Sequence, residues 1–220
     1  MQLIDLSQTI EPGMPMFSPT APPVKVGAWL THEQSAQTGR YEGCVCAITE
    51  VSFVTSVGTY MDAPYHFHPD RAAIHALSLE QLILPGVVID CSNVGERTPI
   101  EPDVLDGVAI AGKAVLFRTD WSRYWGQPEY YRYPYLTGAT AITLQQGGAK
   151  LAGVDFLAID DLTNPRRPVH VHLLGHDILI VENLTHLAAL PKSEFIFHAA
   201  PVKVKMAVSF PVRAYAVVIP

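Results

Sequence analysis

Short apolar, β-branched runs recur along the chain, set apart by glycine, proline and polar residues. They fall at 3–4, 24–26, 50–54, 86–90, 114–117, 156–159, 178–181, 195–197 and 214–218. Runs of that length between turn formers predict strands. Helical signals are fewer. Thr140 offers a hydroxyl N-cap for a helix through about Gln146, which Gly147-Gly148 would stop. Pro168 presets the φ of a first helical turn, where a missing N–H costs nothing, and predicts a short helix ending at Gly175. No linker, repeat or low-complexity tract interrupts residues 1–220, so the pattern predicts one α/β domain with a mixed, β-rich core and a few short helices.

Of the 220 residues, 49% are hydrophobic and 16% charged, which supplies a sizeable core and argues against disorder. The net charge is −6, and the longest basic clusters are Arg166-Arg167 and Lys203-Val204-Lys205, too small to track a phosphate backbone. Nucleic acid is therefore not an expected partner. The start Met1-Gln2-Leu3-Ile4-Asp5 lacks the features of a secretion signal, and no apolar run approaches the ~18 residues of a membrane span. The expected location is cytoplasmic. Cys44, Cys46 and Cys91 do not make a disulfide framework. Cys44 and Cys46 would share one face of a strand without a second pair to complete a zinc site, so all three are expected to be reduced, mostly buried thiols.

Prolines concentrate at 12–23 and 127–135, with Phe17, Trp121, Trp125, Tyr130, Tyr131, Tyr133 and Tyr135 in or beside those stretches. Loops on a rigid scaffold commonly line pockets. Here they fit a planar aromatic or heterocyclic small molecule, or serve packing or a subunit interface.

Five of nine histidines fall in two short segments, each with an acidic residue nearby. The first runs from Ser56 through Gly58, Tyr60, Asp62, Pro64 and His66 to His68. Pro64 disfavours a helix interior, so Asp62 and His66 are expected on one side of an extended segment. A carboxylate and an imidazole presented together can bind a metal or orient a general base. The second segment carries His170, His172 and His176, then an apolar strand closed by Glu182. On a helix, His170 and His172 point to nearly opposite sides, so only one can face a shared site. Glu182 at the end of an apolar strand is costly as a core residue and marks a functional candidate.

Asp62-Ala63-Pro64-Tyr65-His66-Phe67, preceded by Gly58-Thr59, resembles the signature of the cyclase family, which includes bacterial kynurenine formamidases, isatin hydrolases and related metal-dependent hydrolases. That signature reads His-x-Gly-Thr-His-x-Asp-x-Pro-x-His-Phe. Ile4-Asp5-Leu6-Ser7 with Pro12-Gly13-Met14-Pro15 resembles the family's opening, and Arg118-Thr119-Asp120-Trp121 with Tyr133-Pro134-Tyr135-Leu136 its central loop. Pro168-Val169-His170 through Glu182-Asn183-Leu184 is similar to its second ligand segment, and Pro211-Val212-Arg213-Ala214 to its closing strand. The resemblance implies a swivelling β/β/α fold, usually in homodimers or homotetramers, and a zinc or manganese centre that activates water against an amide, formamide or lactam carbonyl. By position it implies Asp62, His170 and Glu182 as metal ligands and His66 as the acid/base histidine. Phe17 falls near the place of an aromatic that covers substrate, and Ser56 and Trp121 are further candidates for substrate contact.

Two signature histidines are absent: Ser56 and Tyr60 hold their places. A serine hydroxyl is a poor ligand, and a tyrosine with a reference pKa of about 10 ligates reluctantly. Three readings follow. One metal sits on Asp62, His170 and Glu182, with room for an activated water. Alternatively the pocket works without metal, Tyr60 and His66 exchanging protons in a lyase, isomerase or cyclisation reaction. Thirdly, the chain binds a small molecule without turning it over. His68 and His172 are the neighbours available to join the site. Asp62 and Glu182 in one pocket would repel, which favours a cation or a histidinium between them.

Overall fold

The structure is a computed structural model that describes residues 1–218. The chain runs β1 (Gln2–Asp5), β2 (Lys25–Leu30), α1 (His32–Gln37), β3 (Ile48–Ser52) and β4 (Tyr60–Asp62). It continues through α2 (Leu79–Leu82), β5 (Ile83–Asp90), β6 (Pro99–Ile100), β7 (Ala114–Arg118), β8 (Tyr135–Leu136) and α3 (Gly138–Gln146). Then follow β9 (Leu151–Val154), α4 (Pro168–Gly175), β10 (Leu179–Glu182), β11 (Phe195–His198), β12 (Ser209–Pro211) and β13 (Tyr215–Val218). Short 3-10 turns join several of these. No helix among the described residues is long and apolar enough to cross a membrane.

Nine strands form one mixed sheet in the order β1-β13-β11-β5-β7-β9-β10-β4-β12. Its centre, β5-β7-β9-β10, is parallel, and antiparallel pairs flank it on both sides. β7, β9 and β10 are buried at nearly every position because both faces are covered, and their polar residues, Arg118 and Glu182, fall at strand ends. Along β7, Val115 and Phe117 enter the core shared with α3 and α4, while Ala114 and Leu116 enter the core beneath the opposite face. Gly153 of β9 sits where a Cβ would lie 2.6 Å from Leu116 and 2.8 Å from Leu184, so only a bare backbone lets these layers close. This is the mixed α/β architecture, with a few short helices, that the sequence predicts.

Several local expectations need correction. Residues 156–159 are buried but form no strand; the strand is β9, five residues earlier. Their backbone groups are met by irregular partners instead: Phe156 C=O accepts from Asn183 N–H, and Ile159 N–H donates to the Glu182 carboxylate. The N-cap of α3 is Thr137, whose hydroxyl accepts from Thr140 N–H, so the helix starts earlier than Thr140 suggests. The segment 62–66 is extended only at Asp62, the last residue of β4, and at Ala63. Pro64 opens a 3-10 turn, Pro64–His66, immediately after β4, using the fixed φ that suits a first turn. Cys91 is buried, but Cys44 is exposed and Cys46 half-buried in the irregular stretch before β3, so those two are neither core thiols nor strand neighbours. The strands β4, β6, β8 and β12 are two or three residues long, too short for periodicity to reveal.

At the ends of β7 and β9, buried Asp155 accepts from Thr119 N–H at 3.0 Å, the Thr119 hydroxyl at 2.5 Å and Asp120 N–H at 2.7 Å. Those bonds hold Asp120 in a left-handed conformation, φ 59°. Asp155→Ala leaves these donors unpaired and is expected to lower the unfolding free energy by about 2–4 kcal/mol. Urea denaturation measures this, and a loss below about 0.5 kcal/mol would show that the corner stands without Asp155.

Candidate active site

Strand register builds the site. In the antiparallel pair β10/β4, Ile180 lies opposite Asp62 and Glu182 opposite Tyr60, while Ser209 of β12 faces Asp62 from the other side. Directly opposed residues share a sheet face, so Tyr60, Asp62, Ser209 and Glu182 all point to the face that α4 covers. Met61 and Val181 alternate into the opposite core. His170, in the first turn of α4, descends onto this group from above.

Asp62, His170 and Glu182 are all buried, and one ligand atom from each lies within 4.8 Å of the others. His170 Nε2 stands 3.4 Å from Glu182 Oε1 and 3.7 Å from Asp62 Oδ2. Its Nδ1 is 2.6 Å from the carboxylate of Asp160, also buried. Glu182 is well supplied with donors: Ile159 N–H at 2.7 Å on Oε1, and the Tyr60 hydroxyl on Oε2. Asp62 is not. Both its oxygens are buried without a hydrogen-bond partner. His66 stands at the rim, its side chain 31% exposed and its Nε2 3.9 Å from Asp62 Oδ1.

The electrostatics follow from this crowding. Burial raises the Asp62 carboxyl above its usual range, and the Glu182 charge adds to it against the pull of His66 and His170. Burial also acts to raise Glu182, but His170, Tyr60 and Ile159 N–H outweigh it and hold that carboxyl below its usual range. For His170 burial opposes the charge, yet Asp160, Asp62 and Glu182 raise its pKa well above the ordinary value. Burial and the two neighbouring carboxylates push the Tyr60 hydroxyl well above 10, so it is a phenol that donates, not a phenolate. Three carboxylates around one imidazole leave an excess of negative charge in a dry space.

The remaining candidates divide. Ser56 turns its hydroxyl to Ser209 at 2.9 Å, where Thr55 also bonds at 2.8 Å. His68 Nε2 sits 2.9 Å from Val171 C=O, on the flank of α4, and His172 stacks beside His176 with ring centroids 4.4 Å apart; neither joins the cluster. Trp121 is buried in the core with its indole N–H on Tyr130 C=O at 3.3 Å, which leaves it no open face for a substrate. Phe17 is 43% exposed on its loop. The two aromatic loops do meet: Tyr131 OH accepts from Met16 N–H at 3.3 Å, and Gly13, Pro15, Gln127 and Tyr131 border a cavity between them. Gly58 (φ +61°) lies against Ile10 and Met14, which ties the first loop to the segment leading into β4.

Sequence reasoning missed Asp160 and Asn183. Asp160 follows the apolar residues 156–159 just as Glu182 closes 178–181, so the same cost of burying a carboxylate would have singled it out. Buried Asn183 accepts from the Tyr130 hydroxyl at 2.6 Å and donates to Gly58 C=O at 2.8 Å, bracing the strand end against the segment 58–60.

Because Asp62 is a buried carboxylate without donors, Asp62→Asn is expected to raise the stability of metal-free protein at pH 7, by about 1–2 kcal/mol. The folded-state pKa lies above the unfolded one, so the ionised carboxylate disfavours folding, and the gain grows as pH rises through that range. Chemical denaturation across pH measures it; a loss of more than 1 kcal/mol would mean Asp62 is satisfied by the protein itself.

The Cyclase family model matches residues 4–161, most of the chain. A kynurenine formamidase of Polaromonas naphthalenivorans is 30% identical over 173 residues, covering 78% of this chain and 75% of its own. Among solved structures, isatin hydrolase A from Ralstonia solanacearum superposes with a TM-score of 0.87 at 24% identity, covering 99% of this chain and 92% of that one. A predicted metal-dependent hydrolase from Bacillus stearothermophilus gives 0.78 at 22% identity, covering 98% and 97%. The two structures share the fold; the family model and the formamidase relative place this chain in the cyclase family, as a hydrolase-like enzyme.

Proposed function

We propose that this chain hydrolyses a small amide, formamide or lactam, using one zinc or manganese ion on Asp62, His170 and Glu182 and His66 as the acid/base. The observation that carries this reading is Asp62, a buried carboxylate with both oxygens unpartnered beside a second carboxylate. The donor set is one nitrogen and two carboxylates, which suits zinc or manganese. Tetrahedral ligands with bonds of 2.0–2.1 Å stand about 3.3 Å apart, close to the 3.4 and 3.7 Å found from His170 Nε2 to Glu182 and Asp62. The donor types and these two spacings fit the ion. A bound ion supplies Lewis acidity, polarising a carbonyl and making water a nucleophile near neutral pH.

The chain's own groups account for the rest. Half-exposed His66 borders Asp62 from the solvent side, where an imidazole can take a proton from attacking water and return it to the departing nitrogen. Tyr60 keeps its proton and spends it on Glu182, fixing that carboxylate's orientation. Ser56 and Tyr60 bond to Ser209 and Glu182, so both are engaged away from Asp62, in keeping with a single ion. The aromatic residues of the two loops, Phe17 among them, suit a planar aromatic or heterocyclic substrate of the kind the formamidase and isatin hydrolase relatives are named for, although the cavity between the loops is bordered by none of the cluster residues. The uncovered β2–β3 ribbon, with Val26, Trp29, Ile48 and Val51 exposed, supports the homodimer or homotetramer that the resemblance implies.

A second reading has its own support. His170 as a cation, with Tyr60 hydrogen-bonded to Glu182, satisfies much of the cluster without metal, and would serve a lyase, isomerase or cyclase. Metal analysis of untagged protein, with turnover of a formamide, lactam and lactone panel before and after chelation, separates the two. About one ion per chain, and activity that falls at least 100-fold on chelation and returns with zinc or manganese, is the expected result. Activity that survives chelation supports the metal-free enzyme, and binding without turnover makes the chain a carrier. His66→Ala is expected to lower kcat by about 10²–10⁴ while the ion stays bound; unchanged turnover would remove His66 from the chemistry.

A further inference from the structure

We propose that Asp160 is a positioning residue that selects the nitrogen His170 presents to Asp62 and Glu182, and thereby makes the cluster able to take a divalent cation. The cause rests on geometry alone; the consequence rests on the metal reading above.

Asp160 lies outside α4 yet caps it. Its Oδ1 accepts from Val169 N–H at 2.9 Å and its Oδ2 from His170 N–H at 2.9 Å. Arg167, at the N-cap position, contributes no side-chain cap and is held at φ 47°. The same Oδ2 lies 2.6 Å from His170 Nδ1. A carboxylate only accepts, so that contact is a hydrogen bond only while Nδ1 carries the hydrogen. The other neutral tautomer would set lone pairs against each other at this distance, inside a site closed to water. With Nδ1–H fixed, the lone pair of a neutral imidazole is left on Nε2, the atom that faces Glu182 Oε1 and Asp62 Oδ2. One carboxylate thus starts the helix, orients the ring and chooses the tautomer. Tyr133 steadies it from behind, donating its hydroxyl to Asp160 C=O at 3.3 Å. The partner of a ligating imidazole's far nitrogen typically governs metal affinity by 10–100-fold.

The test uses the full chain with ¹⁵N-labelled histidine and cobalt(II) as the probe. In the parent, a slowly exchanging, downfield proton is expected on His170 Nδ1, together with saturable cobalt(II) binding that gives a tetrahedral absorption band. Asp160→Ala is expected to lose that proton and to bind cobalt 10–100-fold more weakly. Asp160→Asn keeps the shape and one neutral acceptor, so it guards against misfolding of the alanine variant. Its Nδ1 proton is expected to move upfield as the charge-assisted bond is lost, with cobalt affinity severalfold weaker. A role in capping alone would lower the melting temperature of both variants and leave proton and affinity unchanged. That result overturns the proposal. Parent protein that binds no cobalt overturns the metal reading and the consequence drawn from it, while the ¹⁵N shifts of the two ring nitrogens still decide which of them carries hydrogen.

Discussion

One imidazole meeting three carboxylates in a space closed to water is the interaction on which the centre of this molecule depends. His170 touches Asp160 on one nitrogen and faces Asp62 and Glu182 with the other. An isolated buried charge costs several kcal/mol, so none of these groups is tolerable alone. Together they demand that β4, β10, α4 and the segment before it arrive at one point. The cluster is therefore a constraint on the fold.

The sheet meets that constraint through register. β4 has three residues and β10 four, yet their pairing decides which side chains share the site. A slip of β4 by one residue would turn Tyr60 and Asp62 into the opposite core and bring Met61 to α4. Burial on both faces makes such a slip prohibitive, since the opposite core would receive an unpaired carboxylate. Asn183, bonded to both Tyr130 and Gly58, secures the same strand end against the incoming segment.

Within that frame, Tyr60 and Ser56 stand at the two places where the resembled signature has histidines. Tyr60 keeps its place on the shared face and gives a hydrogen bond to Glu182. Ser56 joins Thr55 and Ser209 in a hydroxyl cluster next to Asp62's strand. Both substitutions add neutral donors where the family signature has imidazoles. They leave Asp62 as the one carboxylate of the cluster that no protein donor satisfies. That imbalance is what the proposed ion would relieve.

Much of this was legible in the sequence because it is local. Apolar runs marked β5, β7, β10, β11 and β13; Pro168 and Gly175 bounded α4; and Asp62, His170 and Glu182, singled out by motif resemblance and the cost of a buried acid, are side chains that the structure brings together. The opposed directions of His170 and His172 also follow from helix geometry alone. Tertiary structure decided the rest. Residues 156–159 are as apolar as a strand, but no neighbour offers them a ladder, and Glu182 takes one of their N–H groups. Trp121 could have lined a pocket and is core instead. Asp160 meets the Val169 and His170 N–H groups and the His170 ring only when α4 is laid over it. A run's periodicity says that a segment wishes to be buried, and a carboxylate's identity says that it wants a partner. Which partner each finds is fixed by distances between elements far apart in the chain, and those exist only once the sheet has its register.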